Sequence, residues 1–260
     1  MDNILELKNV SKNFGGVQAV NDITLSVKKG SIYSLIGPNG AGKTTVFNLV
    51  TGIYPIDNGH IYLDGQEITN QKQHIITSQG IARTFQNIRL FKGLNVLENV
   101  MTAYDPHNSY GLLCAMANFP KKKKLEKENC DNSMENLRLV GIEKYANENP
   151  NNLPYGLQRK VEIARALATN PKVLLLDEPA AGLNSAEIED LMSLIRDLNS
   201  KLGLSVMLIE HRMRIIMALS EHIYVMQFGK MLAEGTPAEI QNSDIVQRAY
   251  IGAEDNENVT

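Results

Sequence analysis

A glycine-rich loop set between an apolar run and a helical segment limits what this 260-residue chain can fold into. Ser31 to Ile36 reads as a buried strand, Gly37-Pro38-Asn39-Gly40-Ala41-Gly42-Lys43-Thr44-Thr45 follows, and a helix through Phe47, Leu49 and Val50 stops near Gly52. Glycines let backbone amides turn toward an anion with no Cβ in the way, and the helix adds its positive dipole end at the same point. Lys43 is spaced to reach the terminal phosphates, and the Thr44 hydroxyl to ligate magnesium. A nucleoside triphosphate and Mg2+ are the implied cofactors.

Composition narrows the class. The two cysteines, Cys114 and Cys130, lack metal-ligand spacing and fit a reducing compartment such as the cytoplasm. No stretch approaches the roughly 20 apolar residues of a membrane span, and the opening residues lack a signal-peptide pattern. Membrane association, if any, has to run through a partner. A formal net charge of −3 gives no general attraction to nucleic acid, which is excluded as a partner. Lys121 to Lys124, the one concentrated basic run, reads as a solvated helix end or loop.

Along the chain, Leu5 and Leu7, then Ile23, Leu25 and Val27, alternate with polar residues as in half-exposed antiparallel strands, and Ile61 and Leu63 precede an Asp64-Gly65 turn. Residues 87–160 lose the strand pattern and read as an inserted helical subdomain, interrupted by Pro106, Pro120 and the lysine run. Val173 to Leu176 is too short for a helix and fits a central strand. Asn184 with Glu187 resembles a capping pair, ahead of a stripe of Ile188, Leu191, Met192, Ile195 and Leu198 that ends before Gly203. Ser205 to Ile209 is the next buried strand, a hairpin closes around Gly229, and residues 254–260 read as a disordered tail.

The strand at Val173 ends on two adjacent carboxylates, Asp177 and Glu178. Successive strand side chains diverge, so Asp177 can face the magnesium shell while Glu178 points toward the γ-phosphate and a water.

With these motifs the chain resembles the ATP-binding-cassette ATPases over nearly its whole length. The resemblance rests also on Gln86 in Thr84-Phe85-Gln86, on Leu153-Pro154-Tyr155-Gly156-Leu157-Gln158, on Ala181-Gly182-Leu183-Asn184, and on His211 after Ile209-Glu210. It implies a single α/β domain over residues 1–260: a RecA-like P-loop NTPase core with an antiparallel β subdomain and the inserted helical subdomain. The activity implied is Mg-dependent ATP hydrolysis, with Glu178, His211, Gln86 and Lys43 as catalytic residues and Thr44, Gln86 and Asp177 around the metal. Phe14, in the loop Lys12-Asn13-Phe14-Gly15-Gly16, matches the family aromatic that stacks on adenine. The segment holding Tyr155 and Gly156 matches the signature that grips the γ-phosphate bound by an opposite subunit, so a second ATPase, identical or related, is implied. Pro154 stands where serine is usual and offers neither hydroxyl nor N–H. Asn184 stands where aspartate is usual.

Within that family, Ile81 to Phe91, Glu162 to Leu167, Asp177 to Gly182 and Ala249 to Gly252 look like the ATPases of branched-chain amino acid importers. That resemblance implies a cytoplasmic subunit, peripheral at the inner face of the cell membrane, bound to transmembrane permeases and served indirectly by an external solute-binding protein. Phe91 and Leu94 would lie near the groove for a permease helix. Another solute, lipopolysaccharide export, or a soluble cassette ATPase stay open as alternatives. A small-molecule kinase would leave the signature segment and His211 unexplained.

Overall fold

Alternating apolar residues put one face of a long N-terminal hairpin into the interior. In the computed structural model, which describes residues 3–103 and 120–257, β1 (Asn3–Phe14) and β2 (Val17–Lys28) run antiparallel with Leu7 opposite Leu25 and Leu5 opposite Val27. The buried strand β3 (Ile32–Ile36) leads through the glycine loop into α1 (Lys43–Val50). Next come β4 (Asn58–Leu63), β5 (Gln66–Glu67), α2 (Gln73–Gln79), the short strand β6 (Ile81–Arg83) and α3 (Val96–Met101). They are followed by α4 (Pro120–Leu139), α5 (Tyr155–Leu167), β7 (Val173–Asp177), α6 (Ser185–Leu202) and β8 (Ser205–Ile209). The chain closes with α7 (Met213–Leu219), β9 (His222–Gln227), β10 (Lys230–Gly235), α8 (Pro237–Gln241) and α9 (Asp244–Glu257).

Two sheets result. One is antiparallel in the order β2-β1-β4-β5; the other, β10-β9-β3-β8-β7-β6, is parallel except for β10 at its edge. Every residue of β3, β7 and β8 is buried, as expected of strands covered on both faces. Their alternate side chains serve different cores. Leu174, Leu176, Val206 and Leu208 join the cluster beneath α5 and α6, whereas Val173, Leu175, Met207 and Ile209 join the one shared with the antiparallel sheet and α1. A third, smaller cluster gathers Ile36 with Ile216, Ile223, Val225, Ile240 and Val246, so α7, α8 and α9 back the end of β3.

Helix α6 follows its sequence pattern closely. Asn184 Oδ1 accepts from the Ala186 and Glu187 amides at 3.0 Å, and Glu187 Oε2 accepts from the Asn184 amide at 2.9 Å, a reciprocal cap. All five residues of the expected stripe are buried, and Gly203 ends the helix at φ +62°.

Four readings change. Pro120 opens α4 instead of interrupting a helix, because a helix's first residues need no backbone donor, and Lys121 to Lys124 belong to its first turns. The tail read as disordered from Glu254 is helical to Glu257, and residues 258–260 lie outside the described residues. Helix α2 and strand β6 had no sequence assignment; three residues are too few to show an alternation. Phe14, read in a loop, is the last residue of β1. Between residues 87 and 160 the described residues hold helices and turns and no strand. Pro106 and Cys114 lie outside them.

Ile195→Ala should cost about 2–5 kcal/mol of stability, since the side chain is 1% exposed in the largest core cluster. Urea unfolding monitored by circular dichroism would check it; a loss under about 1 kcal/mol would mean that α6 is not docked there.

Candidate nucleotide site

Strand register brings the site together. Leu35 of β3 lies opposite Ile209 of β8, and Ile209 lies opposite Asp177 of β7. The three strands therefore leave the sheet at one level, and Gly37, His211 and Glu178, one or two residues on, follow at its carboxyl edge, where open α/β sheets bind ligands.

The loop after β3 is wedged against two strands. A Cβ on Gly37 would sit 2.1 Å from the Met226 carbonyl oxygen, and one on Gly42 would sit 2.5 Å from that of Ala19. Both positions also have positive φ, +152° and +102°, so only glycine fits. Lys43, 6% exposed, donates from Nζ to the carbonyls of Gly37 at 2.8 Å and Pro38 at 3.0 Å. Burial lowers its pKa, opposed by the negative charges of Glu178 and Asp177. Tyr250 of α9 reaches the same loop: burial pushes its hydroxyl up to about 12, against a hydrogen bond from the Gly37 amide.

Asn39, Gly40, Ala41, Gly42, Lys43, Thr44 and Thr45 line an open cleft of about 460 Å³ together with Glu178, His211, Val17, Ala19 and Phe228. Glu178 takes a positive φ of 47°, an uncommon conformation for a side-chain-bearing residue and one that turns it out of the strand direction. Its two oxygens are both engaged: Gln86 Nε2 donates to Oε2 at 2.7 Å, and His211 Nε2 lies 2.8 Å from Oε1. Beneath them, buried Glu210 accepts from the Ala180 amide at 2.9 Å and from the His211 amide at 3.1 Å, which steadies both loops.

Asp177 points elsewhere. Its Oδ2 accepts from Arg83 Nη2 at 2.7 Å, and Arg83 Nη1 also donates to Asn48 at 2.7 Å. Burial raises the Asp177 pKa, and the Arg83 guanidinium opposes the rise. The Thr44 hydroxyl, the Asp177 carboxylate and the Gln86 amide oxygen are hard oxygen donors of the kind Mg2+ takes together with substrate phosphates, so the residues present fit that ion.

Among the expected site residues, the structure gathers residues 39–45, Glu178, Gln86 and His211, with Gly37 and Pro38 beneath Lys43. Asp177, held by Arg83, is not among the lining residues, and three others stand apart from the cleft wall. Phe14 is 38% exposed and packs edge-on against Tyr54 at 5.1 Å. Tyr155 and Gly156 begin α5, the former against Gly182 and the latter so close to Glu187 that a Cβ would lie 2.7 Å from its Oε1. Sequence reasoning assigned no site role to Arg83, Arg159 and Glu162. The signal for the last two was present as opposite charges three apart inside the apolar run of α5.

Comparison with known proteins shows the family. The profile of the family described as ABC transporter matches residues 20–181, and that described as branched-chain amino acid ATP-binding cassette transporter matches residues 230–256. The high-affinity branched-chain amino acid transport ATP-binding protein BraF of Pseudomonas aeruginosa is 44% identical over 96% of this chain and 98% of its own length. LivG of Escherichia coli, named for the same transport, is 41% identical with the same coverage. The lipopolysaccharide export system ATP-binding protein LptB of Haemophilus influenzae is 34% identical over 96% of this chain and 97% of its own. Among solved structures, the ADP conformation of MJ1267, an ATP-binding cassette of an ABC transporter, superposes with a TM-score of 0.83 at 31% identity, over 97% of this chain and all of that one. The dimeric cassette MJ0796 superposes at 0.74 with 29% identity, over 90% of this chain and 98% of that one.

Arg83→Met would leave the buried Asp177 carboxylate without its cation, a loss of about 3 kcal/mol at neutral pH. Because the Asp177 pKa in the folded chain already lies above its unfolded value, stability falls as pH rises through the interval between them. Removing Arg83 widens that interval, so the loss should shrink at about pH 5, where protonation relieves the unpaired charge. Equal losses in urea midpoint at both pH values would contradict the pairing.

Proposed function

The chain belongs to the ATP-binding-cassette transporter family, and on that premise we propose that it hydrolyses Mg-ATP to drive the import of branched-chain amino acids through partner permeases. Cassettes of this family bind and hydrolyse ATP, dimerise and serve transmembrane subunits. The choice of solute is supported by 44% and 41% identity to branched-chain amino acid relatives, against 34% to the lipopolysaccharide export relative, and by the C-terminal match.

One observation carries the hydrolytic reading: the Glu178 carboxylate lines the same cleft as the phosphate loop, with one oxygen held by Gln86 and the other by His211. In this reading the loop amides and Lys43 cradle the phosphates, and Lys43 exchanges its loop carbonyls for phosphate oxygens. Glu178 orients a water in line with the γ-phosphorus and takes its proton as the bond to the leaving ADP oxygen breaks. Gln86 and His211 keep that carboxylate aimed across the cleft, and His211 reaches the γ-phosphate edge. Magnesium held through Thr44, Asp177 and Gln86 would neutralise phosphate charge. Phe14 would stack on adenine, for which its exposed ring is available.

The signature segment would complete the partner's nucleotide site. Pro154 precedes α5 without a side-chain cap and offers no N–H, so the Gly156 amide is left to meet the partner's γ-phosphate. The partner in this reading is a related ATPase. Among the described residues no helix is long and apolar enough to cross a membrane. Placement at the inner face of the membrane would then come from permease contact, and a groove of about 410 Å³ between Arg89, Phe91, Thr102 and Arg165 suits a permease helix, with Phe91 54% exposed. A solute-binding protein outside the membrane would act only through those permeases.

Glu178→Gln should lower steady-state ATP turnover by about 10²–10⁴ while leaving ATP binding intact. Native turnover in that variant would remove the assigned role. Lys43→Ala should abolish ATP binding in an equilibrium titration, and unchanged affinity would count against the phosphate-loop assignment. Proteoliposomes holding the chain with its co-purified permeases and binding protein should take up leucine, isoleucine or valine in an ATP-dependent way; uptake of some other solute alone would overturn the transport assignment.

A further inference from the structure

Two full charges are buried on α5 away from the cleft wall. Arg159 is 0% and Glu162 2% exposed, one turn apart, with Arg159 Nη1 donating to Glu162 Oε2 at 2.6 Å. Desolvation cancels much of the attraction in such a pair, so stability alone is a poor reason to keep it. The remaining bonds of the pair give a better one. Arg159 Nη1 also donates to the Phe85 carbonyl at 2.7 Å and Nη2 to the Gln86 carbonyl at 2.9 Å, while the Phe85 amide donates to Glu162 Oε1 at 3.2 Å. The preceding Thr84 amide is tied to the Leu175 carbonyl of β7 at 3.0 Å. The backbone from Thr84 to Gln86 is thus fixed from β7 on one side and α5 on the other, and from that mount the Gln86 side chain reaches Glu178. The same guanidinium also meets Tyr155 of the signature segment: Nη2 lies 3.5 Å from the hydroxyl and the group 5.9 Å from the ring centre.

We propose that Arg159, oriented by Glu162, is a positioning residue that sets the backbone at Phe85 and Gln86 so that the Gln86 amide meets Glu178, and that ties this amide to the signature segment at the head of the same helix. The proposal rests on the hydrolytic reading of Gln86 and Glu178. It requires an arginine, because the planar fork reaches two successive carbonyls and a carboxylate together, whereas a lysine ammonium is a single point of charge. It also makes one rigid body of two parts with different duties: residues 153–158, which would face the partner's nucleotide, and Gln86, which serves the chain's own.

The test is a double-mutant cycle on the full chain in its transporter complex, comparing Arg159→Lys, Gln86→Ala and the pair. Arg159→Lys keeps a cation beside Glu162; it should lower kcat by about ten- to a hundredfold, the scale expected of a misplaced group, with KM for ATP unchanged. Gln86→Ala should lower kcat similarly, and adding Arg159→Lys to it should lower kcat no further, while the two losses in melting temperature add. Multiplying kcat effects, or native kcat in Arg159→Lys, would overturn the proposal. Should Arg159→Lys fail to fold, Arg159→Met with Glu162→Leu removes both charges together and enters the same cycle with the same expectation. Native turnover in both Gln86→Ala and Glu178→Gln would instead overturn the hydrolytic reading and the proposal with it. Slow turnover in those two with multiplying effects sinks the proposal alone.

Discussion

The register between β3, β8 and β7 is the constraint on which the site depends. Leu35, Ile209 and Asp177 sit abreast, so the phosphate loop, His211 and Glu178 start from one edge and need only a residue or two to converge. Side chains in a strand alternate with period two, and a slip of one residue in β7 would exchange the Leu174 and Leu176 face for that of Val173 and Leu175 and send Asp177 away from Arg83. Two separate apolar cores, one on each face, hold the register because each accepts a different set of these residues. Hydrophobic packing far from the nucleotide is therefore what aligns the polar groups beside it.

Around that edge the charged groups form two layers with different exposure. The outer layer, Gln86, Glu178 and His211, is the more exposed of the two, Glu178 and His211 lining the cleft and Gln86 bonded to Glu178. The inner layer, Asp177 with Arg83, Glu162 with Arg159, and Glu210 with three amides, is buried, and every charge in it has a partner of defined geometry. Leaving any of these buried charges unpaired would cost more than its pairing contributes. The inner layer thus resists rearrangement and restricts the paths by which the outer one can move.

Local features were legible in the chain and distant pairings were not. The phosphate loop, the Asn184 and Glu187 cap and the α6 stripe each occupy a short window whose chemistry is self-contained, and each appears where its pattern placed it. The carboxylates at 177 and 178 were legible as two diverging groups, but the partner of Asp177 lies 94 residues earlier on a three-residue strand too short to declare itself. Gln86 could be picked out only by resemblance, since its meaning depends on Glu178, which folding alone brings near. Pro120 misled because a proline that breaks a helix and one that starts it look alike without knowing which side is helical.

Strand β3 lies between β8 and β9, whose first residues are Ser205 and His222, and its last residue, Ile36, packs against Ile240 and Val246. During synthesis the phosphate-loop strand therefore waits, with both lateral neighbours and its backing helices still unmade, until most of the polypeptide has emerged. Such widely separated pairing slows folding and leaves an apolar strand uncovered in the meantime. A chain cut short before β8 and β9 would leave both hydrogen-bonding edges of β3 open beside the glycine loop.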